Sequence, residues 1–201
     1  MNGAWQTTPK EYVDATRRYV EEIGKLDFAA PQDWMCEPFA LSKTGLTIKR
    51  HQELTIDNYI SLRMLAPELP FIPVVQGWEP DDYSRCLDMY QARGIDLEAQ
   101  PRVGVGSVCR RQRTLELLDV IGRFRGTKLK LHLFGVKRIG LQKVHQQVVS
   151  SDSMSWTLEA WRDGKLYPCD HSQSACVHVG VEKYIEMTWE IIPRPRQVSF
   201  W

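Results

Sequence analysis

The chain of 201 residues contains no apolar run approaching the ~20 residues of a membrane span. Its start, MNGAWQTTPKEYV, lacks a basic stretch followed by an apolar one, so it does not read as a signal peptide. No membrane partner is expected, and the expected location is the cytoplasm. Cysteine is sparse and odd in number: Cys36, Cys86, Cys109, Cys169 and Cys176. A scattered set of five does not make a secreted disulfide framework. Cys86 and Cys109 read as small core residues. Internal repeats and low-complexity tracts are lacking. So are GxSxG and GxxxxGK(S/T), which removes the main supports for a serine hydrolase and a P-loop nucleotide hydrolase.

Apolar residues make up 43% of the chain and charged residues 25%, enough for a sizeable core. The net charge of +1 hides an asymmetry. Between Arg110 and His145 ten Lys/Arg face only Glu116 and Asp119, so that segment carries about +8. A solvated basic helix pair explains such a run. A polyanion-binding face explains it equally well.

Helix and strand signals alternate. Pro9–Gly24 has apolar residues at helical spacing, with Thr8 as cap and Gly24 as stop. Helices are also expected over His51–Leu65, Pro80–Arg93, Arg111–Phe124 and Leu141–Gln147. Strands are expected over Leu26–Ala30, Phe71–Val75, Arg102–Val105, Lys130–Phe134 and Val148–Ser150. These strands are too continuously apolar for a sheet with one wet face, which implies a parallel sheet covered by helices. The expected architecture is a (β/α)8 barrel, incomplete at its beginning because such barrels take about 250 residues. A doubly wound open sheet is the alternative. The barrel is expected over 1–163, with a Cys/His-containing appendage over 164–201.

Chemistry in parallel α/β folds sits at the carboxyl ends of the strands. Those ends here carry Gln32-Asp33, Gln76-Gly77, Gly104-Val105-Gly106-Ser107, Phe134-Gly135-Val136-Lys137 and Ser150-Ser151-Asp152-Ser153. Alone, Asp33 or Asp152 is a helix cap and each glycine a turn residue. Together they bring two carboxylates, a carboxamide and several glycines to one mouth. A carboxylate can act as nucleophile, base or hydrogen-bond acceptor. Glycines let a flat ligand approach backbone amides. Gly104-x-Gly106 could open a dinucleotide fingerprint, but Cys109 stands at its third position. Cys169-x-His171 and Cys176-x-His178 could hold a tetrahedral zinc, although CxH spacing is atypical of a finger.

The ordered stretches AAPQDWMCEP (29–38), FIPVVQGW (71–78), VGVGSVCRR (103–111), LHLFGVK (131–137) and SSDSMSW (150–156) resemble the bacterial and phage DNA-deazapurine transglycosylases, relatives of the queuine tRNA-ribosyltransferases. The resemblance runs collinearly over nearly the whole chain. It implies a (β/α)8 barrel that exchanges guanine in DNA for a 7-deazaguanine of the preQ0 type. Asp152 would be the nucleophile at the sugar C1′. Asp33, Gln76, Gly77, Gly104, Gly106, Phe134 and Gly135 would form the base-binding set, with Phe134 stacked on the base. Arg110, Arg111, Lys137 and Arg138 would hold nucleic-acid phosphates. The resemblance also implies a structural zinc, here on Cys169, His171, Cys176 and His178, and no organic cofactor. It departs from the wider family in one respect. An acid/base Asp in an SGGF-type segment would lie just before Asn2, and that segment is absent from this sequence. A fragment, a start assigned too late, or a companion subunit supplying the missing part is therefore expected.

Three other readings compete. One is a non-catalytic nucleic-acid-binding subunit or truncated remnant. Another is a tRNA-directed guanine transglycosylase. The last is a cofactor-dependent α/β enzyme of small molecules, which the broken glycine pattern disfavours.

Overall fold

A computed structural model describes residues 5–111 and 116–153. It is an α/β protein with a parallel sheet of four strands: β1 (Val74–Val75), β2 (Val103–Val105), β3 (Leu131–Leu133) and β4 (Ser150–Ser151). They lie in the order β1-β2-β3-β4. Val74 pairs with Gly104, Gly104 with His132 and His132 with Ser150, so one register line crosses the whole sheet. A further parallel bridge, Ala29 to Phe71, joins the chain that leads into β1. Pro31, which has no N–H to donate, follows that bridge and stops the ladder.

The strand order never reverses, so the doubly wound alternative does not describe these residues. Among the described residues a closed barrel is not formed either. Among the described residues β4 pairs with β3 alone, whereas closure needs a strand that returns to β1. The sheet is open, and the proposed boundary at 163/164 lies outside the described residues.

The helices are α1 (Pro9–Ile23), α2 (Pro38–Thr44), α3 (Ile48–Leu65), α4 (Pro80–Ala92), α5 (Glu116–Gly122) and α6 (Arg138–Val144). A 3-10 turn over His145–Gln147 follows α6. α1 begins at a capping box, in which Thr8 and Glu11 satisfy each other's backbone N–H. α3 begins three residues ahead of the expected His51. Thr47 sets that start, its Oγ1 accepting from the Arg50 N–H at 3.2 Å. α2 was not expected, since seven residues are too few to display a period. α1 packs on α3, α3 on α4, α4 on α5 and α5 on α6, so the helices follow the strand order.

Side chains alternate across each strand. Val75, Val103, Val105, Leu131 and Leu133 join Tyr83, Tyr90, Ile56, Leu62, Leu117 and Ile121 in one core between sheet and helices. The other parity, Val74, Gly104, His132 and Phe134, lines the opposite face. No described helix is long and apolar enough to cross a membrane.

Candidate active site at the carboxyl ends of the strands

The loop carrying Asp33 is pinned by one face of α3. His51 Nδ1 donates to the Met35 carbonyl at 2.7 Å, Thr55 Oγ1 accepts from the Trp34 N–H at 2.9 Å, and Asn58 Nδ2 donates to the Gln32 carbonyl at 2.7 Å. Positions 51, 55 and 58 are spaced to share a helix face. Beside them, buried Gln52 donates through Nε2 to the carbonyls of Gln76 and Asp82, both at 2.7 Å. Its Oε1 accepts from Arg85 Nε at 3.0 Å. Sequence reading missed all four residues. The available signal was polar residues at i, i+4 and i+7 on a helix face that should have been apolar.

Three strand ends then join through one amide. Gln76, fully buried, donates through Nε2 to Asp33 Oδ2. Its Oε1 accepts from Ser107 Oγ at 2.7 Å, and Ser107 Oγ accepts from the Cys36 N–H at 2.9 Å. Ser107 holds φ at +56°, a left-handed conformation costing roughly 1–2 kcal/mol outside glycine. The hydrogen bonds on both sides of its hydroxyl hold it there. Burial pushes the Asp33 carboxyl up to about 6, with the Gln76 hydrogen bond opposing.

The glycines of the site each answer to a neighbour. A Cβ on Gly106 would collide with the Gln76 amide, and one on Gly104 with the Phe134 ring. One on Gly77 would press Tyr83 and the Asp82 Cβ at 2.8 and 2.9 Å, where α4 begins. Gly135 combines φ of +67° with the Cys109 Cβ at 2.8 Å from its own missing Cβ. The space that the sequence suggested for a flat ligand is thus taken by Phe134 and Gln76 at Gly104 and Gly106.

Asp152 follows β4. Its N–H donates to the Leu133 carbonyl at 3.2 Å, and its Oδ1 accepts from the Gly135 N–H at 2.5 Å. His132 Nε2 lies 3.8 Å from Oδ2. The Asp152 side chain is 59% exposed. Burial pushes its carboxyl up, but the His132 ring and the Gly135 N–H outweigh that and hold it below the usual carboxylate range. Phe134 meets the His132 ring edge-to-face at 4.8 Å.

The basic residues divide. Arg110 is exposed, stacks over the Phe39 ring at 4.4 Å and pairs with Glu37 at 3.2 Å. Arg111 is buried. It lies 4.0 Å over the Trp78 ring, donates to the Trp78 carbonyl, and pairs with Glu116 at 3.0 Å and Glu79 at 3.6 Å. Lys137 is exposed at the cap of α6, and Arg138 opens that helix. Cys86 is fully buried as expected, whereas Cys109 is only partly so. Cys169, His171, Cys176 and His178 lie outside the described residues. Among the described residues no cluster of His, Cys, Asp and Glu could hold a metal. A groove of about 540 Å³ opens at the opposite end of the sheet, near Leu87, Ile95, Leu97 and Leu129. That end of a parallel fold serves stability rather than chemistry.

The fold and site define an α/β protein with its polar machinery at the carboxyl edge of a singly wound parallel sheet. A family model described as DpdA, DeoxyPurine in DNA protein A, matches residues 1–192, and the chain belongs to that family. It is therefore a protein of DNA modification, with a transferase-like role and DNA as the implied substrate. No curated protein matches the chain.

Proposed function

We propose that the protein exchanges guanine in DNA for a 7-deazaguanine base of the preQ0 type, through a glycosyl ester on Asp152. The observation that carries this reading is a carboxylate held ionised beside the Gly135 N–H, on the same strand-end edge as the Asp33–Gln76–Ser107 cluster. Family membership supplies the DNA purine.

The target base leaves the stack before its glycosidic carbon can be reached. Guanine presents adjacent N–H donors and one carbonyl oxygen. Asp33, ionised above about pH 6, accepts from the donors, and the Gln76 amide meets the oxygen. Phe134 swings from Gly104 to cover the base face. An Asp152 oxygen then attacks C1′. The bond to guanine N9 breaks, and guanine departs with the electron pair and takes a proton from water, which the incoming base later returns. The deazaguanine nitrogen, losing one proton, attacks C1′ and releases the carboxylate. Proton count and anomeric configuration are both conserved, as in retaining glycosidases.

Arg110, Lys137 and Arg138 hold the DNA backbone in this reading, and tRNA is the competing polymer. Two thiolates and two imidazoles suit a tetrahedral zinc, so the same reading puts a structural zinc on Cys169, His171, Cys176 and His178. Metal analysis of the purified protein checks it.

The test of the exchange is covalent trapping. Guanine-containing DNA is incubated with the protein, quenched in acid and weighed by intact mass. A protein–DNA adduct is expected, and it disappears in Asp152→Asn. Salt-sensitive binding by both proteins without an adduct would replace this reading with a non-catalytic DNA-binding subunit. An adduct with RNA alone would replace DNA with tRNA.

A further inference from the structure

His132 is the one described histidine on the inner face of the sheet, and the exchange steps leave it without a task of its own. It is 3% exposed. The sheet register sets its partners, since His132 sits directly opposite Ser150 on β4. His132 Nδ1 lies 2.8 Å from Ser150 Oγ, and Arg102 Nη1 donates to the same oxygen at 2.5 Å. The two aromatic neighbours are Phe28, at 4.9 Å between ring centres, and Phe134 at 4.8 Å, both edge-to-face. Arg102 stacks over Phe28 at 4.9 Å, which fixes the far end of the chain. The charged groups that face the imidazole are thus Arg102, through Ser150, and Asp152, at 3.8 Å from Nε2.

The chemistry of the donors sets the tautomer. A guanidinium only donates, so Ser150 Oγ accepts from Arg102. The Asp152 carboxylate that faces Nε2 only accepts and calls for the ring proton there, so the Ser150 O–H goes to His132 Nδ1. An accepting Nδ1 leaves the ring proton on Nε2, the atom aimed at Asp152. That Nε2 is buried and, among the described residues, has no hydrogen-bond partner. An unsatisfied buried N–H costs about 1–3 kcal/mol. A small rotation of the Asp152 carboxylate closes the gap and removes that cost.

We propose that His132, locked as its Nε2–H tautomer by Arg102 and Ser150, is the positioning residue of Asp152. It turns one carboxylate oxygen toward C1′ by holding the other. While the glycosyl ester stands, the held oxygen is the ester carbonyl. When the deazaguanine nitrogen takes C1′, the carbon–oxygen bond pair returns to the carboxylate, and the same N–H receives the returning charge. Phe134, packed on the imidazole edge, ties this arrangement to the base-stacking position. The inference rests on the transglycosylase reading.

The test follows adduct formation by intact mass in wild type, His132→Phe and His132→Gln. Losing one donor to a developing charge costs ~10²–10³-fold when it touches the substrate. Acting through Asp152, His132→Phe is expected to slow adduct formation by roughly 10–100-fold with unchanged DNA affinity. It also moves the acid limb of the rate to higher pH, because Asp152 has lost a group that keeps it ionised. His132→Gln, which keeps an N–H, recovers part of both. A folded His132→Phe variant with wild-type rate and acid limb would overturn the proposal.

Should His132→Phe fail to fold, Ser150→Ala keeps the ring and removes the lock. Nitrogen-15 NMR of the imidazole is then decisive. Wild type is expected as Nε2–H and Ser150→Ala as a mixture, while an Nδ1–H wild type overturns the inference. Absence of any wild-type adduct would sink the parent reading and the positioning role with it. The wild-type tautomer and its response to Asp152→Asn would still decide whether the two side chains are paired.

Discussion

Asp33 and Asp152 stand at ends of the same sheet, and their surroundings push them in opposite directions. Asp33 is partly buried, bonded to a buried amide, and raised to about 6. Asp152 is mostly exposed, held by one backbone N–H, and lowered. The first belongs to a network that reaches α3 through Gln76, Gln52 and the loop at 31–37. The second rests on the Gly135 N–H in the tight turn after β3 and faces His132 at 3.8 Å. Two carboxylates with separated ionisation carry two roles. The buried one suits recognition, where fixed geometry discriminates between bases. The open one suits attack, where access and charge matter.

The largest expected effect breaks the open side. Asp152→Asn removes the proposed nucleophile, and exchange should fall by ~10³-fold or more, the scale seen when a covalent nucleophile is lost. DNA affinity should stay within a factor of about three, measured by fluorescence anisotropy. An equal loss of affinity and exchange would move Asp152 from chemistry to binding.

Asp33→Asn sharpens the contrast, because activity and stability should move in opposite directions. Exchange should drop ~10²-fold or more, since an amide cannot accept from both guanine donors. Stability should rise at neutral pH. A carboxyl raised in the folded state favours folding fully below its unfolded value, 3.8, and loses that contribution as pH rises through about 6. Ionised Asp33 is therefore a cost above pH 6. The gap between 3.8 and about 6 sets an upper bound of roughly 3 kcal/mol, reduced by part exposure. The carboxamide oxygen of the variant still accepts from Gln76. Melting curves should show the variant more stable near pH 8 and level with wild type near pH 4. A loss of stability at pH 8 would mean that the Asp33 charge is held by a group not yet seen.

What could be read from sequence divides along the same line. Asp33, Gln76, Gly106 and Asp152 were legible because a parallel sheet delivers its strand ends to one edge, and strand ends follow from apolar runs and the Gly or Pro after them. α1 and α4 were legible from caps and period. The support around Asp33 was not. His51, Gln52, Thr55 and Asn58 look like the polar side of a surface helix until the loop they hold is in place. Their role is long-range, joining residues 16 to 30 positions apart. His132 was hidden within an apolar strand for a similar reason. Its partner Ser150 is set by register, which no local pattern carries. Arg111 was equally opaque, since a basic run does not say which side chain finds an aromatic ring and two carboxylates. Of the barrel expectation the described strands show the parallel α/β order and an open sheet, because alternation fixes neighbours and handedness but not closure.

Gln52→Leu tests whether the Asp33 side depends on that hidden support. The substitution strands the carbonyls of Gln76 and Asp82 and frees Arg85 Nε. A cost of about 1–3 kcal/mol is expected from buried groups left without a partner. Exchange should slow by roughly tenfold through loosened base recognition, with the acid limb of adduct formation unchanged, since Asp152 is held elsewhere. Urea unfolding and the pH profile measure the two together. A shifted acid limb would join the two sides that the geometry separates.

The smallest effect concerns the arginine pair at the end of β2, adjacent in sequence and unlike in setting. Arg110 is exposed on Phe39, and Arg111 is buried on Trp78 between Glu79 and Glu116. A phosphate contact reveals itself in the salt dependence of binding, about one unit of log–log slope for each neutralised phosphate. Arg110→Ala should lower that slope by about 1, and melting should fall by a few degrees, because the change strips the cation from Glu37, whose side chain is only 3% exposed. Arg111→Ala should leave the slope in place. It removes a stacked cation and leaves two carboxylates facing each other, so melting falls by several degrees while the slope holds. If Arg111 instead carries the slope, DNA binding must draw it out from between Glu79 and Glu116. The arginine–tryptophan stack would then be a latch that opens on DNA rather than a fixed part of the wall.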